Sequence, residues 1–100
     1  MTATPVTVMM DIPLRAGVND IDAVFLRDLP ATRAFPGNRG TEVVAEDSRP
    51  DHLVMITRWE SRAAYDAYSA WRGTPEGRTH LGEIVAGPPT FRVFHSRLQF

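Results

Sequence analysis

From His52 to Trp59 the chain alternates Leu53, Met55, Thr57 and Trp59 with His52, Val54, Ile56 and Arg58, and both series are largely apolar. Alternation with a period of two marks a strand, and a strand that is apolar on both sides needs cover on both. The segment from Val6 to Ile12 repeats the feature, with Val6, Val8, Met10 and Ile12 on one side and Thr7, Met9 and Asp11 on the other, closed by Pro13. A chain of 100 residues builds one domain around one core. One layer of helices from so short a chain covers one sheet face, and the other face is left apolar.

The remaining pattern supplies those helices. After the turn Arg15-Ala16-Gly17, Asn19 or Asp20 can cap a helix from about Asp20 to Arg33, in which Ile21, Val24, Phe25 and Leu29 recur at helical spacing. Pro30 predicts a kink or an early end, because it removes one hydrogen bond and crowds the preceding turn. Pro36-Gly37-Asn38 reads as a turn, Thr41 to Glu46 as a short strand, and Ser48 to Asp51 as a polar hairpin loop. Ser61 caps a second helix that carries Ala64, Tyr65, Tyr68 and Trp71 on one stripe up to Gly73. Thr74-Pro75 restarts a helix that brings in Leu81, Ile84 and Val85. Thr90 to Phe100 is a long last strand, with Phe94, Leu98 and Phe100 on one face and Phe91 and Val93 on the other.

The order strand, helix, strand, strand, helix, strand is the split βαβ pattern of an α+β, ferredoxin-like domain. Right-handed crossovers put both helical regions on one face of a four-stranded antiparallel sheet. A bare apolar sheet face is unusual on a monomer, so a homodimer through that open face is expected.

Composition narrows the function. The absence of cysteine excludes disulfide scaffolds, thiol nucleophiles and cysteine-based metal centres. All eleven cationic residues are arginine, but twelve carboxylates offset them along the chain, so nucleic acid has no basic patch to bind. The alternating, uncharged start resembles neither a signal peptide nor a membrane span, so no membrane partner is expected and a cytoplasmic location follows. The histidines His52, His80 and His95 form no H-x-x-x-H pair, and no metal site is expected. Phosphate-binding glycine loops and the serine-hydrolase motif are missing as well.

The space between helices and sheet is where one chain can build an apolar cavity with a few polar groups. Phe25, Leu29, Trp59, Tyr65, Tyr68, Trp71, His80 and Phe94 are its candidate lining. Each is also an ordinary core residue. The clustering of Trp59, Tyr65, Tyr68 and Trp71 around one helix favours a flat aromatic ligand, which needs stacking rings and oriented N–H and O–H groups. His80, close to Arg78 on the broken helix, is the candidate acid–base group. Asp11 and Glu83 are further possible bases, with a surface position favoured for each.

The run Trp59-Glu60-Ser61 followed by Ala64-Tyr65, preceded by Leu53-Val54-Met55-Ile56-Thr57-Arg58, resembles the antibiotic biosynthesis monooxygenase family. Ala31-Thr32-Arg33-Ala34-Phe35-Pro36-Gly37 is similar to that family's helix end and turn. The resemblance implies a dimeric α+β barrel made by two ferredoxin-like chains. It also implies an enzyme that oxidises phenols, quinols or anthrones with molecular oxygen and no cofactor. It makes Trp59 and Tyr65 substrate-orienting residues and Arg78 the stabiliser of developing negative charge, and His80, the acid–base candidate of the pocket reading, would serve beside them as base or proton shuttle. Met55 joins the substrate-binding set, although it stands where the anthrone-oxidising branch carries an asparagine; Val44 stands where that branch carries a histidine. These two departures favour the rival reading, a non-catalytic dimeric protein that holds an aromatic ligand. The haem-degrading branch ranks lower: its first-strand asparagine is Met9 or Met10 here, its second-helix tryptophan falls near Tyr68, and His80 matches its axial histidine only after a shift of about one helical turn.

Overall fold

A computed structural model describes residues 3–100. The elements follow one another as β1 (Val6–Ile12), α1 (Ile21–Ala34), β2 (Asn38–Glu46), β3 (Arg49–Trp59), α2 (Arg62–Arg72), a single 3-10 turn (Leu81–Glu83) and β4 (Thr90–His95). The four strands form one antiparallel sheet in the order β2-β3-β1-β4, the ferredoxin-like arrangement the element order predicts. No described helix is long and apolar enough to cross a membrane.

Register divides the sheet into two faces. Val6, Val8, Met10 and Ile12 pair with Trp59, Thr57, Met55 and Leu53, and this set lies under the helices. The opposite face carries Met9, Val44, Val54, Ile56 and Phe94, with no described helix or strand over it. On the covered side the core falls into two clusters. One joins Met10 and Ile12 to Val24, Phe25 and Ile84. The other joins Val6, Val8 and Trp59 to Tyr68.

Several boundaries differ from the expected ones. Helix α1 runs through Pro30 without ending. Pro30 and Leu26, whose carbonyl loses its donor, both face solvent, so water can take the place of the missing bond. Asp20 precedes the helix in a left-handed conformation (φ 55°) with no side-chain cap, unlike Ser61, whose Oγ accepts from Ala64 N at 3.1 Å. Strand β2 begins at Asn38, within the expected turn, because the Asn38 amide bridges an irregularity in the ladder: it donates to Thr41 Oγ1 at 2.9 Å and its Oδ1 accepts from Gly40 N at 2.9 Å. The hairpin is tighter than expected, with β3 already starting at Arg49.

The helix expected from Thr74 does not form. Gly73, Gly77 and Gly82 punctuate this stretch, each costing about 1 kcal/mol relative to alanine in a helix, and turns lead instead to the 3-10 turn. The last strand stops at His95 rather than Phe100. Its neighbour β1 begins at Val6, which pairs with His95, and the last bond joins Ser96 N to Pro5 O at 3.0 Å. Beyond that point no partner strand remains, and Leu98 and Phe100 are exposed.

Gly37 turns the chain from α1 into β2 with φ at +89°, and a Cβ there would meet Ala64 Cβ at 2.6 Å. Gly37→Ala should therefore lower stability by about 1–3 kcal/mol through backbone strain and overpacking. The urea midpoint should fall with an unchanged slope; a midpoint equal to wild type would contradict this packing.

Candidate functional site

Between the two core clusters lies a cavity of about 280 Å3. The sheet contributes Val8, Met10, Met55, Thr57 and Phe91, helix α2 contributes Tyr65, Tyr68, Ser69 and Arg72, and the segment before β4 closes it with Thr79, Leu81 and Pro89. Phe91 is 56% exposed and stands at the mouth. A small annex extends inward past Phe25, Leu29 and Asp28.

The polar wall comes from one face of α2. Tyr68 and Ser69 each stand three or four residues from both Tyr65 and Arg72, which stacks the four on the side that meets the sheet. Arg72 Nε donates to Tyr68 Oη at 2.8 Å, Nη1 donates to the Gly77 carbonyl at 3.1 Å, and Nη2 donates to the Asp28 carbonyl at 2.9 Å and Thr32 Oγ1 at 2.8 Å. Thr32 Oγ1 and Tyr68 Oη are themselves 2.8 Å apart. The guanidinium also lies over the Trp71 ring, 4.8 Å from its centroid.

Burial pushes the Tyr65 phenol above its ordinary pKa, against the opposing pull of the Arg62 guanidinium and the Ser69 hydroxyl. Tyr65 therefore stays neutral in the physiological range and offers a hydrogen-bond donor, not a base. Asp28 is 8% exposed. Its Oδ2 accepts from His80 N at 2.7 Å and its Oδ1 lies 2.6 Å from His80 Nδ1, which fixes the ring and leaves Nε2 free.

The structure brings Met55, Tyr65 and Tyr68 to the cavity and Phe25 and Leu29 to its annex. The other expected residues lie elsewhere. Trp59 is 0% exposed and packs behind the wall, its ring centroid 4.8 Å from Tyr68 and its Nε1 donating to Thr57 Oγ1 at 2.9 Å. It supports the cavity lining without contributing to it. Trp71 turns toward Phe35, at 5.6 Å, because its place on α2 is one position off the cavity-facing row. Phe94 pairs with Thr7 on the open face, and Phe91 takes its place, since the register puts odd-numbered β4 residues under the helices. Arg78 is exposed in the turn that replaces the expected helix. His80 sits at the rim between the cavity residues Thr79 and Leu81, its side chain 42% exposed. Asp11 lies on the open face against His52 and Arg92, and Glu83 is exposed beside Arg27.

Two functional candidates escaped the sequence reading. Arg72 follows Tyr65 and Tyr68 at helical spacing on the same face, and Asp28 interrupts the apolar row Ile21, Val24, Phe25, Thr32 of α1. The available signals were a charge inside a largely apolar row for Asp28, and for Arg72 a place in register with the tyrosines already singled out.

The antibiotic biosynthesis monooxygenase family model matches residues 5–85. The chain belongs to this family. Among solved structures, Rv0793 from Mycobacterium tuberculosis is 26% identical with a TM-score of 0.74, covering 96% of this chain and 97% of that one. SnoaB, a cofactor-independent oxygenase from Streptomyces nogalater, is 20% identical with a TM-score of 0.79 and 97% coverage of both chains. The heme-degrading protein Rv3592 from Mycobacterium tuberculosis is 19% identical with a TM-score of 0.73, covering 98% and 97%. No curated protein sequence matches the chain. The fold is thus shared by proteins of different chemistry, and the cavity residues must carry any functional argument.

The raised Tyr65 pKa has a consequence for stability. Above about pH 10 tyrosines of the unfolded chain lose their protons, while folded Tyr65 keeps its own, so stability is lost as pH rises toward the folded value. Between pH 9 and pH 11 the urea midpoint of wild type should fall further than that of Tyr65→Phe. Equal losses would contradict the burial of this phenol.

Proposed function

We propose that this family member is a cofactor-independent oxygenase that oxidises a small aromatic phenol, quinol or anthrone with molecular oxygen, in the secondary, polyketide-type metabolism of a cytoplasm. The observation that carries the reading is the cavity itself. It has apolar walls from Val8, Met10, Met55 and Phe91 facing one polar row of Tyr65, Tyr68 and Arg72. Its volume lies near the lower end of small-molecule sites, roughly 300–1,000 Å3, which favours one or two fused rings inside and any further ring at the open mouth.

An electron-rich phenolate can reduce oxygen directly, so the protein's part is to desolvate it, deprotonate it and hold the partners together. The substrate passes one electron to oxygen, and the radicals recombine as a hydroperoxide. Loss of water then leaves a new carbonyl, with one oxygen atom in the product and the other in the water. Tyr65 donates to a substrate oxygen, Arg72 takes the charge-stabilising role expected of Arg78, and His80, oriented by Asp28, relays the proton to solvent through Nε2.

A non-catalytic binding protein is the second reading, favoured by Met55, whose thioether occupies the cavity where a polar amide was expected. Haem cleavage has less support, because Met10 faces the cavity in place of an asparagine and the Tyr68 hydroxyl is bound to Arg72 and Thr32. Oxygen uptake by metal-free protein with naphthols, quinols and anthrones separates the first two. Uptake above the uncatalysed rate, reduced about tenfold or more in Tyr65→Phe, is expected. Tight binding of one compound with no uptake would leave the binding protein.

The open face supports a homodimer, since Met9, Val44, Val54, Ile56 and Phe94 have no cover from their own chain. Sedimentation should give a dimer at micromolar concentration and a monomer for Ile56→Glu; a wild-type monomer would contradict the proposal.

A further inference from the structure

Arg72 lines the cavity and, among the described residues, has no counter-ion. Its four protein bonds go to the Tyr68 hydroxyl, the Thr32 hydroxyl and the Asp28 and Gly77 carbonyls, all of them neutral acceptors. Among the described residues no carboxylate lies within 4.0 Å of its guanidinium. The carboxylate of Asp28, whose own carbonyl accepts from Arg72, is instead turned to His80. A guanidinium carries five N–H groups, so one remains for a ligand.

The rest of the cavity has the same bias. Its main chamber is lined by no acidic residue, while Thr57, Tyr65, Ser69 and Thr79 bring hydroxyls to it. The Thr57 oxygen already accepts from Trp59 Nε1, which leaves its own hydrogen to donate. Apolar walls strengthen the interaction of the cation with any anion that enters, because little water screens it. A neutral ring would leave the fixed positive charge facing an apolar surface.

We propose that the cavity selects aromatic ligands bearing an ionised oxygen, a carboxylate or a phenolate, and that Arg72 is the residue that reads this charge. The inference rests on the cavity being the ligand site and does not depend on oxygen chemistry. Selection lies in the contrast between a charged and a neutral acceptor of the same shape, because only the anion adds ion-pair attraction to the hydrogen bond in a site that water screens little.

The test measures binding of 2-naphthoate and 2-naphthamide at pH 7 by quenching of intrinsic fluorescence, together with the pH at which bound 4-nitrophenol turns yellow. Wild type should bind the naphthoate about tenfold or more tightly than the amide, or ionise bound nitrophenol at lower pH than the free compound. The first result alone assigns the site to carboxylates and the second alone to phenolates; each supports the proposal. Arg72→Gln should abolish the discrimination and Arg72→Lys should keep part of it. Because Arg72 also ties the helices together, the wild-type comparison decides the matter should the glutamine variant fail to fold. Equal binding with an unshifted nitrophenol, or discrimination that survives in folded Arg72→Gln, would overturn the proposal. Charge discrimination without oxygen uptake would remove the oxygenase reading alone, and uptake with no charge discrimination would remove this one alone.

Discussion

The Arg72 guanidinium holds together three segments that lie far apart in sequence: α1 through Thr32 and the Asp28 carbonyl, α2 through Tyr68, and the following turn through Gly77. Hydrogen bonds to a charged group contribute about 1.5–3 kcal/mol each, partly offset here by moving the cation out of water. The geometry around it leaves little freedom. A Cβ on Gly77 would run into the Trp71 carbonyl, so the turn can come close enough to accept from Arg72 only with glycine at that position. The same arginine lines the cavity, so the group that fastens α2 across the sheet is also the one that gives the cavity its charge.

The sheet beneath this tie has two different jobs for its two faces. Under the helices the short side chains of Val8 and Thr57 help to leave a hollow between the Phe25 and Trp59 clusters. Trp59 keeps that hollow from collapsing: it fills the space behind Tyr68 and holds the Thr57 hydroxyl at the cavity edge. On the far side the apolar residues of β1, β2, β3 and β4 have no described helix over them and share the face with the polar group of Asp11, His52 and Arg92. Cavity and open face thus use the same strands without sharing side chains, because successive residues point in opposite directions.

Much of this was legible in the sequence, and what was not has physical causes. The alternation in Val6–Ile12 and His52–Trp59 dictates two central strands with two apolar faces, and the observed register assigns their side chains as the alternation does. Local signals failed where a partner decides the outcome. Strand β4 ends when β1 runs out, and nothing in Ser96–Phe100 announces it. Parity along β4 could be read, but not which parity faces the helices, so Phe94 and Phe91 exchanged roles. The resemblance assigns the charge-stabilising role to Arg78, which lies in a turn where a helix is expected, whereas the helical spacing from Tyr68 to Arg72 leads to an arginine that lines the cavity.

A half-buried arginine in so many bonds has a direct spectroscopic mark. In a proton–nitrogen correlation spectrum at neutral pH, the Arg72 Nε–H, assigned by its loss in Arg72→Lys, should be resolved from the other ten arginines and exchange slowly with water. It should also move when an aromatic anion is added. An Arg72 signal that is averaged with exposed arginines and unmoved by ligand would contradict both the tie across the helices and the charge it presents to the cavity.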